Sequence, residues 1–449
     1  MPPPNIVYMH SHDTGRYIQP YGYALPTPRM QRLAEEGVVF RHAFCANPTC
    51  SPSRAALLTG QYAHSCGEFG LVNRGWNLEH PERHLAQTLQ KAGYETALAG
   101  VQHVTKIVTD QGYTRLLTQE DKALPNAERA VKFIEERRAK PFFLDIGYIE
   151  THRIKEGFAA QPDGEAPADS RWLRPPAPFP DNQTTREDFA RYVDSARRLD
   201  AAHGRVLDAL DEAGLRENTL VICTTDHGIA FPGMKCNLTD HGIGVMLMLR
   251  GPGGFAGGKV LDALVSQIDV YPTVCEVAGI PKPAWLQGFS LAPLARGERA
   301  EIREEVHAEV NFHACYEPKR AVRTRRYKYI RRYDKRDRVV LPNCDNSSTK
   351  EFWLEHGWRE RHVDTEQLYD LAFDPHETAN RAADPACAQA LEEMRGRLKA
   401  WMETTGDPLL TRDVLDAPET GELNDTDGHS PGGDPHFPAR EWLRKKFGA

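Results

Sequence analysis

Short apolar runs alternate with amphipathic stretches along the first 300 residues of the chain. Asn5-Ile6-Val7-Tyr8-Met9 is a continuous apolar run that gives way at once to the polar His10-Ser11-His12-Asp13-Thr14-Gly15. That is the pattern of a buried strand with functional groups at its C-terminal end. Pro28 to Gly37 spaces its apolar residues as a helix stopped by glycine, and Val38-Val39-Phe40 begins another strand. The exchange then repeats. Leu85 to Ala92 predicts a helix, Thr96 to Ala99 a strand, Ala127 to Arg138 a helix and Pro141 to Ile146 a strand. A long helix over Asp188 to Ala213 and a strand over Thr219 to Cys223 complete the series. Strands and helices in this order predict an α/β fold, a large mostly parallel sheet sandwiched by helices.

After about Gly297 the pattern changes. Arg320 to Thr324 and Tyr327 to Ile330 alternate apolar and polar residues, as antiparallel strands with one wet face do. A helix over Pro385 to Thr404 and a Gly/Pro/Asp-rich tail follow. The expected plan is a catalytic α/β domain over residues 1–300 and a smaller C-terminal α+β domain over 301–449. The latter contains an antiparallel sheet and turns irregular from about residue 405. The tail suits either a dimer contact or a loose surface segment.

Composition narrows the function classes. The 449 residues carry 56 Lys and Arg against 63 Asp and Glu, a net charge of −7, and no long basic run. A nucleic-acid partner is not expected. No stretch approaches the ~18 apolar residues of a membrane span, and no signal-peptide pattern precedes the Asn5 strand. Nine cysteines, an odd number, are scattered through the chain, which argues against a disulfide framework. The expectation is a cytoplasmic protein with reduced thiols.

The stretch richest in chemistry is Cys50-Ser51-Pro52-Ser53-Arg54-Ala55-Ala56-Leu57-Leu58-Thr59-Gly60. Ser51 reads as a helix cap, Pro52 as the first helical residue and Gly60 as the stop. Cys50 then lies at the mouth of a helix N-terminus, where free N–H groups favour an anion, with Arg54 one turn in. Taken alone, Cys50 reads more readily as a small buried hydrophobe, and an arginine as a solvated surface residue.

The whole motif resembles that of the sulfatase family, C-x-P-S-R followed by a small-apolar helix and T-G. The resemblance continues through Asn5-Ile6-Val7, Pro141 to Leu144, Asp226-His227-Gly228, Asp269 to Gly279, Gln287 to Leu291, Arg320 to Ile330 and Leu368 to Leu371. Gly228 to Leu238 looks most like the heparan N-sulfatase (sulfamidase) branch. The resemblance implies an alkaline phosphatase-like fold and conversion of Cys50 to formylglycine by a maturation enzyme. It also implies one divalent cation held by Asp13, Asp226, His227, the modified Cys50 and the residue at position 12. There this chain has His12 where the family has an acid. His12 is either a ligand or a hydrogen-bond partner of one. Calcium is the family's ion, whereas His12 and His227 together suit Mn²⁺ or Zn²⁺ as well.

The same resemblance implies roles for four more residues. His103 matches the histidine of a Gly-Lys-x-His motif that contacts substrate, but the lysine position is Val101. His152 is the candidate proton donor to the leaving group, and Lys235 a cation for the sulfate. His64 lies where a histidine supports the nucleophile. Taken singly, each histidine reads more readily as a satisfied structural or an exposed residue than as a functional one. Their case is that they follow successive strands of one parallel sheet, whose C-terminal ends converge. The leading expectation is metal-dependent hydrolysis of sulfate esters or sulfamates of saccharides or small organic molecules. A phosphonate monoester or phosphodiester hydrolase on the same scaffold and a non-catalytic anion binder stay open beside it.

Overall fold

A computed structural model of the chain describes residues 3–154 and 157–448. Its centre is an eight-stranded sheet made of β1 (Asn5–Ser11), β2 (Val38–Phe44), β3 (Glu95–Gly100), β4 (Arg115–Thr118), β5 (Phe142–Gly147), β6 (Thr219–Thr225), β7 (Leu247–Arg250) and β8 (Lys259–Ser266). Their order across the sheet is β4-β3-β5-β1-β6-β7-β2-β8. Only β7 runs against its neighbours β6 and β2.

Alternation along the central strands sorts two cores. Ile6 and Tyr8 of β1, with Leu220 and Ile222 of β6, join Leu57, Leu89 and Val274 from helices on one face. Val7, Met9, Val221 and Cys223 join Met30, Phe133 and Leu199 from helices on the other. A strand buried on both faces has no polar side to show, which is why these strands read as continuous apolar runs.

Two helices begin earlier than their apolar periodicity suggests, because polar side chains cap them. The helix Gln183–Glu212 starts at a capping box in which Asn182 Oδ1 accepts from the Thr185 N–H at 3.0 Å. The helix Ala123–Glu135 starts where Glu150 Oε2 accepts from the Ala123 N–H at 2.8 Å.

A second sheet of four antiparallel strands, β9 (Glu305–Phe312), β10 (Tyr316–Thr324), β11 (Tyr327–Arg332) and β12 (Glu366–Asp370), follows in the order β12-β11-β10-β9. The helix Ala388–Thr405 buries Met394, Leu398 and Trp401 in the core beside it.

The tail departs from the irregular segment expected. Glu422–Asn424 pairs with His436–Pro438, and Ala439–Phe447 is a helix. Leu423, Trp442 and Leu443 enter the core of the chain's own second sheet, and Arg74 Nη2 donates to the Pro431 carbonyl at 2.7 Å. Elements this short, separated by glycines and prolines, are too brief to show a period. Among the described residues, no helix is long and apolar enough to cross a membrane.

Candidate active site

The C-terminal ends of β1, β3, β5 and β6 all open on one side of the sheet, and the loops that leave them carry His12 and Asp13, His103, His152, and Asp226 and His227. Cys50 joins them from the loop after β2. Its helix is Cys50–Thr59 with Thr49 at the cap, so Cys50 lies in the first turn and Ser51 is not the cap expected from sequence. Thr49 gives its hydroxyl to Asn47 at 2.6 Å and makes no side-chain cap. Pro52 has no N–H and the Ser53 N–H donates to the Thr49 carbonyl at 2.9 Å, so the N–H groups of Cys50 and Ser51 are the ones left for another acceptor.

Two close approaches shape the site. Asp13 holds φ = 55°, in the left-handed region that aspartate tolerates better than most residues. Gly228 has no room for a side chain, since a Cβ there would lie 2.0 Å from the His241 carbonyl oxygen.

The geometry assigns each oxygen. Asp226 Oδ1 accepts from the backbone N–H groups of Asp13 (2.8 Å) and His227 (2.9 Å). Its Oδ2 meets Arg54 Nη2 at 2.9 Å and His12 Nδ1 at 3.1 Å. Asp13 Oδ1 lies 3.0 Å from His12 Nδ1 and 3.3 Å from His227 Nε2. Asp13 Oδ2 takes Lys235 Nζ at 3.0 Å and His152 Nδ1 at 2.7 Å. His227 Nδ1 donates to the Gly228 carbonyl at 2.9 Å, which leaves Nε2 as a lone pair 3.5 Å from Cys50 Sγ.

Donor atoms of His12, Asp13, Cys50 and Asp226 lie within 4.8 Å of one another, as do those of His12, Cys50 and His103. Atoms that share one ion at about 2.0–2.6 Å stand roughly 3–4 Å apart, so the cluster fits a single divalent cation. Asp240 and His241, the second Asp-His-Gly triplet, stand apart from it. They begin a helical turn, with Asp240 bound to Arg323 and Lys328.

Electrostatics follows from burial. Loss of water alone would raise the Asp13 carboxyl, but Lys235 and then His152 hold it well below the usual carboxylate range. Burial lowers His12 to about 4 and His103 to about 3, so both imidazoles are neutral near pH 7. Burial also pushes the Cys50 thiol well above its ordinary value, with Lys235 opposing. Lys235, bridging Asp13 and Asp345 at 3.0 Å each, stays charged.

The remaining expected residues fall in different places. His152 is a quarter exposed at the mouth, its ring 4.5 Å from that of His12. His103 holds φ = 53° and faces Asn73 Oδ1 at 3.4 Å. Arg54 spends its terminal nitrogens on Asp226 Oδ2, the Ser11 carbonyl (3.0 Å) and His10 Nδ1. His64 sits in a buried ion network, where Nδ1 meets Glu309 Oε1 at 2.9 Å and Arg320 bridges Glu309 and Asp407.

That network makes its own prediction. Burial would raise the Glu309 carboxyl, but His64 and Arg320 hold it at about 2, from an ordinary value near 4.5. An acid held below its unfolded value stabilises the fold above that value and loses the contribution as pH falls towards the folded one. About 3 kcal/mol of stability is therefore expected to vanish between roughly pH 4.5 and 2. Urea midpoints across that window should show it, and Glu309→Gln should flatten this part of the profile.

Two neighbours of the site had no sequence signal. Asp345 reaches Lys235 from the loop after β11, and His313 enters from the β9–β10 turn. The ring nitrogens of His313 have no hydrogen-bond partner among the described residues. Burial, then the charge of Lys235, holds His313 well below its ordinary value. Both residues come from beyond residue 300, and nothing in local spacing ties them to a strand end far earlier in the chain.

With this geometry in hand, comparison with known proteins is decisive. The sulfatase family model matches residues 4–280, and the model for the N-sulphoglucosamine sulphohydrolase C-terminal region matches residues 234–347. The chain belongs to the sulfatase family. It is 30% identical over 460 residues to N-sulphoglucosamine sulphohydrolase of Homo sapiens, covering 90% of this chain and 91% of that protein. It is 28% identical over 437 residues to an ulvan-active sulfatase of Formosa agariphila, covering 92% and 83%. Among solved structures, a 2-O GAG sulfatase superposes with a TM-score of 0.70 at 22% identity, over 98% of this chain and 100% of the other. A phosphonate monoester hydrolase of Agrobacterium radiobacter does so at 0.67 and 20%, over 93% and 99%. At these identities the structures establish the alkaline phosphatase-like fold. Family and fold together make this sulfatase an enzyme on the heparan N-sulfatase side of the family.

Proposed function

We propose that this sulfatase cleaves O-sulfate esters or N-sulfonates of small saccharides, with Cys50 converted to formylglycine as the nucleophile and one divalent cation beside it. The carrying observation is the convergence of Cys50 with His12, Asp13 and Asp226 at the ends of parallel strands. His12, Asp13, Asp226 and His227 would hold the cation, which supplies Lewis-acid neutralisation of the sulfate oxygens.

The chain's own groups account for the rest. A sulfate ester is already anionic, so attack requires a fixed positive field; Lys235 and the open N–H groups of the Cys50 helix supply it. A formylglycine hydrate has two hydroxyls on one carbon. One attacks sulfur as the bond from sulfur to the leaving oxygen or nitrogen breaks. The other then loses its proton as the carbonyl re-forms and sulfate departs. Asp13, beside Cys50, is placed to take a proton from the hydrate. In its protonated form His152 keeps Nδ1–H on Asp13 and gives its second ring proton, from Nε2, to the leaving amine or alkoxide. The neutral ring can then take the proton that the second hydroxyl loses.

His152→Ala is expected to lower kcat about 10²–10⁴-fold on a saccharide sulfate. It should cost far less on 4-nitrophenyl sulfate, whose leaving group needs no proton, and initial rates on both substrates check this. The functional reading itself is tested by kcat/KM on N-sulfoglucosamine, 4-nitrophenyl sulfate and a phosphonate monoester. Sulfate release favouring the saccharide supports it; faster phosphonate hydrolysis would replace it with the phosphoryl alternative.

A further inference from the structure

Behind Arg54 lies a row of buried polar side chains that no step of the reaction uses. Arg54 Nη1 donates to His10 Nδ1, His10 Nε2 lies 2.8 Å from Asp145 Oδ1, and the Tyr113 hydroxyl donates to Asp145 Oδ2 at 2.5 Å. Arg54 is 2% exposed, His10 1%, Asp145 0% and Tyr113 7%.

The chemistry leaves one arrangement of protons. A guanidinium offers only donors, so the nitrogen of His10 that faces Arg54 must carry a lone pair. The proton of the neutral ring is then on Nε2, where it donates to Asp145, and the Tyr113 hydroxyl occupies the other carboxylate oxygen. The fold supplies the alignment. β1 and β5 are adjacent and parallel, and Tyr8 is paired with Asp145 and His10 with Gly147. Asp145 therefore stands on the same face as Tyr8 and His10. The Tyr8 ring stacks on His10 at 4.6 Å and keeps the imidazole from rotating.

We propose that His10, Asp145 and Tyr113 are positioning residues that fix the guanidinium of Arg54. They aim Nη2 at Asp226 Oδ2 and so make Arg54 a brace of the carboxylate beside Cys50 more than a direct sulfate ligand. The row also balances charge, since Asp145 and Asp226 flank Arg54 with a neutral imidazole between. The inference rests on the proposed cation and nucleophile site for its consequences, and on hydrogen-bond geometry alone for its proton arrangement.

Three readouts test it on the full-length protein. ¹⁵N-histidine NMR, with the His10 signal assigned by its loss in His10→Asn, should report an Nε2–H tautomer. An Nδ1–H tautomer would overturn the proposal whatever the enzyme's substrate proves to be. Asp145→Asn keeps the shape but can present an N–H to His10, which drives the ring proton towards Arg54. It should lower kcat on 4-nitrophenyl sulfate and Mn²⁺ affinity, read by electron paramagnetic resonance, about 10–100-fold each. KM and the melting temperature should move little.

Tyr113→Phe, at the far end and safest for folding, should cost less than tenfold. His10→Asn, whose carbonyl can still accept from Arg54, should retain more activity than His10→Leu. Wild-type kcat and Mn²⁺ affinity in both Asp145→Asn and His10→Leu would sink the proposal. A wild-type protein with the Nε2–H tautomer but no sulfate hydrolysis would instead count against the functional reading and leave the positioning row standing.

Discussion

Cys50→Ala is expected to reduce sulfate release to background, a loss of at least ~10³-fold, while the protein remains folded and continues to bind a divalent ion through its nitrogen and carboxylate donors. Alanine fits the space of a buried cysteine, so the variant separates chemistry from folding. Cys50→Ser sharpens the test. A serine hydroxyl can attack once, but its carbon carries no second hydroxyl to collapse into a carbonyl. It should therefore accumulate one equivalent of sulfated enzyme and stop. In the native protein, the tryptic peptide His42 to Arg54 contains Cys50 and Cys45. Its mass should show one cysteine converted from thiol to aldehyde, and fragmentation should place the change at residue 50. Cys45 is fully buried and hydrogen-bonded through its backbone N–H to Ile243, away from the helix mouth. An active preparation with an intact thiol at residue 50 would remove formylglycine from the mechanism.

The sequence carried the large sheet because each of its central strands is apolar on both faces and ends in a sharp polar turn. Asn5 to Met9 followed by His10 to Asp13 announces both a strand and the place where chemistry can sit. The same logic put His152 and Asp226 at strand ends, and the structure draws them to within a few ångströms of Asp13 or Cys50. What escaped was information held between distant segments. The antiparallel β7 is four residues long, too short to declare its direction. The tail helix is anchored by Trp442 and Leu443, whose meaning depends on a core contributed by the second sheet. Asp345 and His313 reach the site from the second sheet's loops, and only the packing of that sheet against the first brings them there. Arg54 was legible as a cation near an anion site. Its commitment to Asp226, the Ser11 carbonyl and His10 depends on the β1–β5 pairing, which no local pattern encodes.

The proposed cation site is where this chain's own residues change the expected behaviour most. In the proposed ligand set, Asp13 and Asp226 would supply carboxylate oxygens, and His227 would offer an Nε2 freed by the bond from Nδ1 to the Gly228 carbonyl. His12 would add a second imidazole, and burial keeps it neutral near pH 7, with Asp226 opposing. Relative to a site with an acid at position 12, one negative charge is lost and one softer nitrogen gained. Calcium binds through many hard oxygens and loses most from that exchange, whereas Mn²⁺ and Zn²⁺ accept imidazole readily. Protein stripped with a chelator is thus expected to regain sulfate hydrolysis with Mn²⁺ or Zn²⁺ at concentrations at least tenfold lower than with Ca²⁺. His12→Asp should reverse the order by restoring the oxygen and the charge. Asp226→Asn should weaken every divalent ion about 100-fold or more, because it removes charge from the ligand set and leaves Arg54 facing a neutral amide. Calorimetric titration of stripped protein with each ion decides this without any substrate. Tighter Ca²⁺ than Mn²⁺ binding in the wild type would place His12 outside the ligand set, as a hydrogen-bond partner of Asp13 and Asp226.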